Sequence, residues 1–508
     1  MSNFSSQSTL APAEHQKEYT KGQIVKFNIP SFYGFIDPRQ TFLRFNVAVE
    51  SKLRMRLSKN LGASALIHAI RIYDHSNAQL LENIENYGNI VKMINVYGDN
   101  ESLKHQKQLL EGVDVENADG SLDLKNSLFF NGYVPSGSTT VDLADTSIAM
   151  PHKVQIALKL QSGILGGDKV FPVSAFGGLR VEIELNSAVR SFMMAELGSS
   201  ESHPLNLAEA ITGGAKTECV VRVPFVDCPY VVGEEIVITN DADEEKYLTI
   251  TQLEHTELDT TAGIEQNTKI TFASQTIGAS AVGKPTHIEE DYREACATSL
   301  QYRLTNMELC VKQVNPPESY IGDMMKQIGS EEGFSIDIKT FDLVRQNIQA
   351  GQLINEQPIR SFSHRVYSVL SLMVENAGDS VLTDSFATMT GASKLKSYAY
   401  MIDGKKNPNR DVATELTTQS AHHINQQSSF ELHKALESCG ITIRNLPLKT
   451  NFLIGRAMGR YGGVFRLVDR NLTLRSVFDR STTSMLCLNY LCSLRRLNVS
   501  NKGIVVVP

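Results

Sequence analysis

Two stretches of the chain alternate apolar and polar residues without a break. In Val154-Gln155-Ile156-Ala157-Leu158-Lys159-Leu160 the even positions are apolar. In Leu179-Arg180-Val181-Glu182-Ile183-Glu184-Leu185 the odd positions are apolar and the even ones charged. Successive side chains of a strand point to opposite faces, so each stretch predicts a strand with one buried and one wetted face. The intervening segment, with Gly163, Gly166, Gly167, Pro172, Gly177 and Gly178, predicts a loop, a short strand and a turn.

The same pattern recurs along the chain. Strands are expected at Gln23–Ile29, Thr41–Glu50, Cys219–Val223, Ile236–Thr239, Tyr247–Leu253, Lys269–Ala273 and Tyr302–Val314. In the second half they are expected at Phe334–Lys339, Phe341–Arg345, His364–Val374, Lys396–Ile402, Gly463–Val468, Leu472–Val477, Met485–Leu491, Leu494–Val499 and Gly503–Val507. Helical spacing is confined to connections. Tyr87, Ile90, Val91 and Ile94 share one face, and Glu318–Ile328 is closed by Gly329. Ser428 and Glu431 have capping-box spacing at the start of a helix in which Phe430, Leu432, Ala435 and Leu436 can pack, with Gly440 as its stop. Strands in series with helices only between them point to β-sandwiches and not to alternating βαβ units.

A chain of 508 residues exceeds one ordinary core. The expected layout is a flexible polar arm over residues 1–21, a first sandwich with long loop insertions over 22–315, a linker helix over 316–332 and a second sandwich over 333–508. The boundary is placed at Pro316-Pro317 and the short helix that follows.

Composition adds little to the fold and more to the setting. Hydrophobic residues make up 42% and charged residues 21%, as in ordinary folded chains. No apolar run approaches the ~20 residues that span a bilayer. Met1–Gln7 lacks a basic region followed by an apolar one, so no secretory leader is expected and synthesis is placed inside the cell. The seven cysteines are scattered and form no CxxC pair, which predicts small buried side chains and no zinc site. The net charge is −7, but residues 441–500 hold ten basic and two acidic residues, giving +8 there and −15 elsewhere. This basic face could meet nucleic acid, meet acidic patches of neighbouring subunits, or be a solvated strand face.

Searches for chemistry return little. Gly278-Ala279-Ser280-Ala281-Val282-Gly283-Lys284 has the spacing of a phosphate loop, but Pro285 stands where a metal-binding Ser or Thr belongs. His422-His423 point apart in an extended segment. No GxSxG elbow or HExxH helix occurs. No catalytic residue, cofactor site or metal site is assigned, and a non-enzymatic role is expected.

Some segments do resemble a family. Leu66-Ile67-His68-Ala69-Ile70-Arg71-Ile72-Tyr73, followed by Leu80-Leu81-Glu82-Asn83-Ile84-Glu85-Asn86-Tyr87, is similar to the early segment of double jelly-roll major capsid proteins of eukaryotic double-stranded DNA viruses. In those proteins a strand with "R-x-I/V" and a turn lead to an acidic "hE-x-I-x-x-Y". Ser397–Pro408 resembles their second-roll motif "Y-x-x-x-I/L-G-x-x-x-x-P", although Asp403 takes the place of the usual glycine and Gly404 follows. Ser428–Gly440 resembles the helix after it, and Leu491–Val507 their closing strands. Among such proteins the likeness is nearest to those of polinton-like viruses, adintoviruses and virophages.

The resemblance implies an all-β fold of two tandem jelly-roll sandwiches with short helices in connecting loops. It implies a major capsid protein that forms homotrimeric, pseudo-hexagonal capsomers of an icosahedral virion around a double-stranded DNA genome. The implied partners are the chain itself, neighbouring capsomers, penton and minor capsid proteins, and packaged DNA without sequence preference. The basic residues singled out for subunit or genome contact are Arg456, Arg460, Arg466, Arg470, Arg475, Arg480, Arg495 and Arg496. Their spread among apolar strand positions favours subunit contact. The alternative is a tandem β-sandwich that binds a ligand in the manner of a lectin. The absence of tryptophan weakens it for sugars.

Overall fold

The fold is that of a computed structural model, which describes residues 5–14, 17–50, 55–58, 60–76, 79–98, 101–113, 115–116, 122–123, 128–130, 153–194, 205–222, 235–242, 244–260, 263–281, 285–287, 300–361, 363–375, 386, 395–414, 426–443, 453–459, 463–478 and 484–507. Eight strands build its first half: β1 (Ser5–Pro12), β2 (Ile24–Pro30), β3 (Phe42–Glu50), β4 (Ile67–Asp74), β5 (Leu80–Glu85), β6 (Lys153–Leu158), β7 (Gly178–Leu185) and β8 (Gln301–Asn315). They pair antiparallel in two sheets, ordered β1-β8-β3-β6 and β2-β7-β4-β5. Alternation decides which face is buried. Leu179, Val181, Ile183 and Leu185 of β7 are buried, and Arg180, Glu182 and Glu184 between them are half-buried. Removing each such aliphatic side chain from water contributes about 1.5–3 kcal/mol.

Eight further strands build the second half: β9 (Phe334–Ile348), β10 (Ile354–Pro358), β11 (Arg365–Glu375), β12 (Leu395–Ile402), β13 (Lys405–Ala413), β14 (Ile454–Ala457), β15 (Leu472–Phe478) and β16 (Met485–Ser500). Their sheets are ordered β9-β16-β11-β14 and β10-β15-β12-β13. Counted within each half, the first strand pairs with the eighth, the second with the seventh, the third with the sixth and the fourth with the fifth. That nested pairing is a jelly roll. The chain therefore holds two jelly rolls in tandem.

The repetition extends to an irregularity. The ladder between β4 and β7 skips His68, with Ile67 opposite Leu185 and Ala69 opposite Glu184. The ladder between β12 and β15 skips Lys396 in the same place, with Leu395 opposite Phe478 and Ser397 opposite Val477. In each roll a helix lies in the connection after the fifth strand, α1 (Tyr87–Gly98) in the first and, after α2 (Glu101–Glu111) and α3 (Glu318–Ile328), α4 (Gln426–Ser438) in the second.

The structure departs from the sequence reading in three places. The segment expected as a free arm contains β1, whose whole length pairs with β8 from Ser5 opposite Asn315 to Pro12 opposite Glu308. A strand added to an existing sheet gains its backbone hydrogen bonds from the neighbour, so its own sequence need not alternate. In α4 the helix starts at Gln426, which puts Ser428 inside it and buried, not at its cap. Leu432, Ala435 and Leu436 are buried as expected, but Phe430 is exposed, with the Lys434 ammonium 4.0 Å over its ring. Two residues along a helix is about 200° around its axis, which turns Phe430 away from Leu432.

The third departure is the insertion between β7 and β8. Six strands, Leu205–Asn206, Gly214–Val221, Glu235–Thr239, Glu245–Thr260, Gly263–Ile277 and Pro285–His287, form one sheet there. A bridge from Leu207 to Val221 joins its two ends, so the sheet closes on itself, and one from Ile211 to Ser280 extends the pairing of Gly214–Val221 with Gly263–Ile277. Its core of Leu207, Ile211, Cys219, Val221, Ile236, Ile238, Leu248, Ile250, Ile270, Phe272 and Ile277 is separate from that of the rolls. The strands expected here among long loops thus form a small barrel with its own core, and Gly278–Ser280 belong to its wall. The main core, by contrast, runs through both rolls, joining Phe45, Ile70 and Ile183 to Ile338, Leu372 and Tyr490. The second roll has an additional core of its own around Tyr398, Tyr400 and Leu474.

Candidate interface site

The described residue that departs furthest from a core of apolar side chains is Glu82 on β5, which is 0% exposed. A buried carboxylate is costly unless donors surround it. Here Ser162 Oγ donates to it at 2.5 Å, the Gly163 amide at 2.7 Å and the Ile164 amide at 3.2 Å. Three residues beyond β5's companion Ile84, the Tyr87 hydroxyl accepts from the Gln161 amide at 2.8 Å. Burial pushes the Tyr87 phenol well above its ordinary range, so it stays neutral. The acidic residue and the tyrosine of the "hE-x-I-x-x-Y" stretch therefore have one physical task. Together they hold the loop Gln161–Leu165, which connects β6 and β7.

That loop is pressed against the second roll. A Cβ on Gly163 would lie 2.2 Å from the Lys339 carbonyl oxygen on β9, so only glycine fits. Around this point β5 lies along β9, and polar contacts link the rolls. Arg345 pairs with Glu85 at 3.3 Å. Arg495 donates to the Leu81 carbonyl at 3.1 Å, and the Tyr490 hydroxyl to the Asn86 carbonyl at 3.3 Å. Phe386 of the second roll lies under the Arg190 guanidinium at 5.0 Å, and its carbonyl accepts from buried Lys92 at 3.0 Å. The junction runs from the fifth strand of one roll to the first strand of the next.

The arginines singled out in the sequence do not gather into one basic patch. Arg456 on β14 reaches Glu431 on α4 and, at 2.8 Å, Asn407 on β13. Arg475 on β15 meets Glu356 on β10 at 2.9 Å and Asp411 on β13 at 3.0 Å, tying the sheet across its width. Arg470 meets Asp403 at 2.6 Å. Arg495 meets Asp342 at 2.7 Å and Arg496 meets Asp337 at 2.8 Å, both bonds crossing from β16 to β9. Arg466 is exposed and has no carboxylate partner among the described residues. Arg460 and Arg480 lie outside the described residues.

These pairs leave an electrostatic signature. The hydrogen bond from Arg496 lowers the Asp337 carboxyl below its ordinary value against the opposing effect of burial, with the Arg365 charge helping. Burial raises Asp411, but Lys406 and Arg475 together outweigh it and the net direction is down. Sequence reasoning picked out the cations and missed their anions, because each partner is 25 to 159 positions away in the chain. It also missed that Cys439 and Cys492 approach each other beside Ser368, whose Oγ lies 2.7 Å from Cys439 Sγ. The five described cysteines are free and buried, and no group of metal-ligating side chains occurs among the described residues. No helix among the described residues is long and apolar enough to cross a membrane.

Comparison with solved structures fits this architecture. The fold is similar to that of the Faustovirus major capsid protein, at 7% identity and a TM-score of 0.52 over 98% of this chain and 91% of that one. It is also similar to PBCV-1 VP54 as fitted into a reconstruction of the virophage Sputnik, at 10% identity and a TM-score of 0.49 over 100% and 97% of the two chains. The mavirus major capsid protein matches at 8% identity and a TM-score of 0.34 over 98% and 89%. No family model and no curated protein matches the sequence. At these identities the likeness concerns fold, and the fold is a double jelly roll.

Two outcomes test the site. Glu82→Ala leaves the Gly163 and Ile164 amides without their acceptor, and unfolding by denaturant should show a loss on the order of 2–4 kcal/mol. Hydrogen exchange should quicken first at residues 161–165 and along β9; uniform exchange throughout both rolls would contradict the assigned role. Asp337 is depressed in the folded state, so its contribution is present above the ordinary carboxylate pKa near 3.9 and is lost as pH falls through the lower folded value. Asp337→Asn should therefore make the fall of Tm below about pH 4 shallower than in the parent, with the two curves parallel above pH 6.

Proposed function

We propose that the chain is a major capsid protein, a structural subunit whose copies assemble into a virion shell. The observation that carries this reading is the tandem repetition of one nested strand order, β1-β8-β3-β6 over β2-β7-β4-β5 and again in β9 to β16. Two like units per chain allow three chains to present six near-equivalent corners, and a closed ring hides the sandwich flanks. The likeness to the Faustovirus major capsid protein supports the same reading at the level of fold. The role is structural: the polar side chains described above hold sheets, loops and rolls to one another.

On this reading the functional unit is a homotrimer, and its interfaces are large, on the order of thousands of Å². Its partners are other trimers, penton and minor capsid proteins, and a double-stranded DNA genome held without sequence readout. The assignment of residues 22–315 and 333–508 as the two building units, joined by the helix within 316–332, belongs to the same proposal. Its first roll is extended here to include β1. Of the eight arginines, Arg466 is the described one free to meet a neighbour or the genome. The other five described ones spend their charge on carboxylates of their own chain, which favours a cohesive role within the second roll.

Light scattering of the purified full chain at several concentrations tests the proposal. The expected mass is three times the 56.2 kDa chain and independent of concentration. A monomer that persists at high concentration and neutral pH would sink the trimeric reading and leave a tandem ligand-binding sandwich as the better account.

A further inference from the structure

The long strand β16 divides its side chains between two cores. Leu488, Tyr490 and Cys492 belong to the core that runs through both rolls, and Cys487 and Leu491 belong to the core that the second roll has for itself. Residues two apart on a strand share a face. Cys492 therefore faces the core that also takes in Leu432, Ala435 and Leu436 of α4. Cys439 follows directly on α4 and is part of the same core.

Ser368 brings the two sulfurs together. It stands opposite Cys492 in the ladder of β11 and β16, and side chains so opposed leave the same face about 5 Å apart. Its Oγ lies 2.7 Å from Cys439 Sγ. A hydrogen bond with the Cys439 thiol, followed by burial, raises Cys492 well above the ordinary thiol range, so it stays a thiol in the resting chain. Lys339 on β9 is the cation beside the pair. Its Nζ is 3.3 Å from where a Cβ on Gly440 would stand, and its charge works against that rise. Both cysteines are free.

We infer that Cys439 and Cys492 form a site of oxidative modification, joined as a disulfide by a small peroxide, and that the bond staples the end of α4 to β16. Cys439 is 8% exposed and Cys492 1%, so the oxidant meets Cys439 first. The Cys439 sulfur attacks one oxygen of hydrogen peroxide and the O–O bond breaks. The hydroxide that leaves takes up the thiol proton, giving a sulfenic acid and water. The Cys492 sulfur then attacks the sulfenic sulfur, the S–O bond breaks, and a second water leaves with the Cys492 proton. Two electrons pass from the two thiols to one peroxide, which ends as two waters. Cys487 is only five positions from Cys492 but takes no part, because it faces the other core. The stapled strand is the one that supplies Tyr490 and Arg495 to the junction between the rolls. Reducing surroundings keep the pair open and oxidising ones close it. None of this depends on the assembly proposed above.

The test uses the reduced full chain, treated with dilute hydrogen peroxide at neutral pH and then quenched with catalase. Remaining thiols are blocked in denaturant, and the peptides are mapped by mass spectrometry without reduction. The expected result is a peptide pair joined through Cys439 and Cys492, two hydrogens lighter than the separate thiols and absent after dithiothreitol. The oxidised chain should also melt about 5 °C higher than the reduced one. Cys439→Ser and Cys492→Ser, treated alike, should show neither the link nor the rise. Recovery of both residues as blocked thiols or as sulfinic acids would overturn the assignment. So would a link from Cys492 to Cys487 formed as readily as the one to Cys439. A Cys439–Cys492 link that leaves Tm unchanged would overturn the staple.

Discussion

A single buried carboxylate fixes how the two halves of this protein meet. Glu82 is taken out of water on the fifth strand of the first roll and is tolerated because one hydroxyl and two amides converge on it. An isolated charge in that position would cost several kcal/mol. The donors come from Gln161–Leu165, and a loop that must supply them cannot also drift. Tyr87 fixes its other end. Gly163 then brings backbone against backbone at Lys339, and β9 is placed along β5. The core that continues through both rolls depends on that placement, since Ile338, Leu372 and Tyr490 reach Phe45 and Ile183 through it only while the edges stay aligned.

The charge pattern is best understood in the same terms. Ten basic residues in sixty look like a surface for a polyanion. Folding disperses most of the described ones among Glu356, Asp337, Asp342, Asp403, Asp411 and Glu431. Pairs that remain open to solvent contribute little each, about 0–1 kcal/mol. Their value lies in register. Arg475 can reach Glu356 and Asp411 only when β10, β15, β12 and β13 are in their proper order, and Arg496 can reach Asp337 only when β9 and β16 are not slipped. A one-residue slip would turn every side chain of a strand to the wrong face.

Much of this was legible in the sequence, and the limits have physical causes. The strands β3, β7 and β15 alternate because each has one face in a core, and the sequence shows that directly. The segment β1 was illegible because its order comes from β8, some three hundred positions away, and not from its own pattern. The barrel was read as strands set in loops because its closure through Leu207 and Val221 is a tertiary contact that no local pattern records. The stretch Leu80–Tyr87 was visible as a family likeness, but its task was not, since Ser162 and Gly163 lie eighty positions on. The arginines were visible one by one, and their neutralisation was not.

On the proposed reading, the two like rolls of one chain are two of six corners in a ring of three chains. Single-particle images of the purified full-length protein test it most directly, without labels or substitutions. The account predicts class averages with a six-cornered outline and true three-fold symmetry, because the barrel inserted between β7 and β8 has no counterpart in the second roll and marks every other corner. Averages showing a two-lobed single chain, or a ring with two-fold or six-fold symmetry, would contradict it.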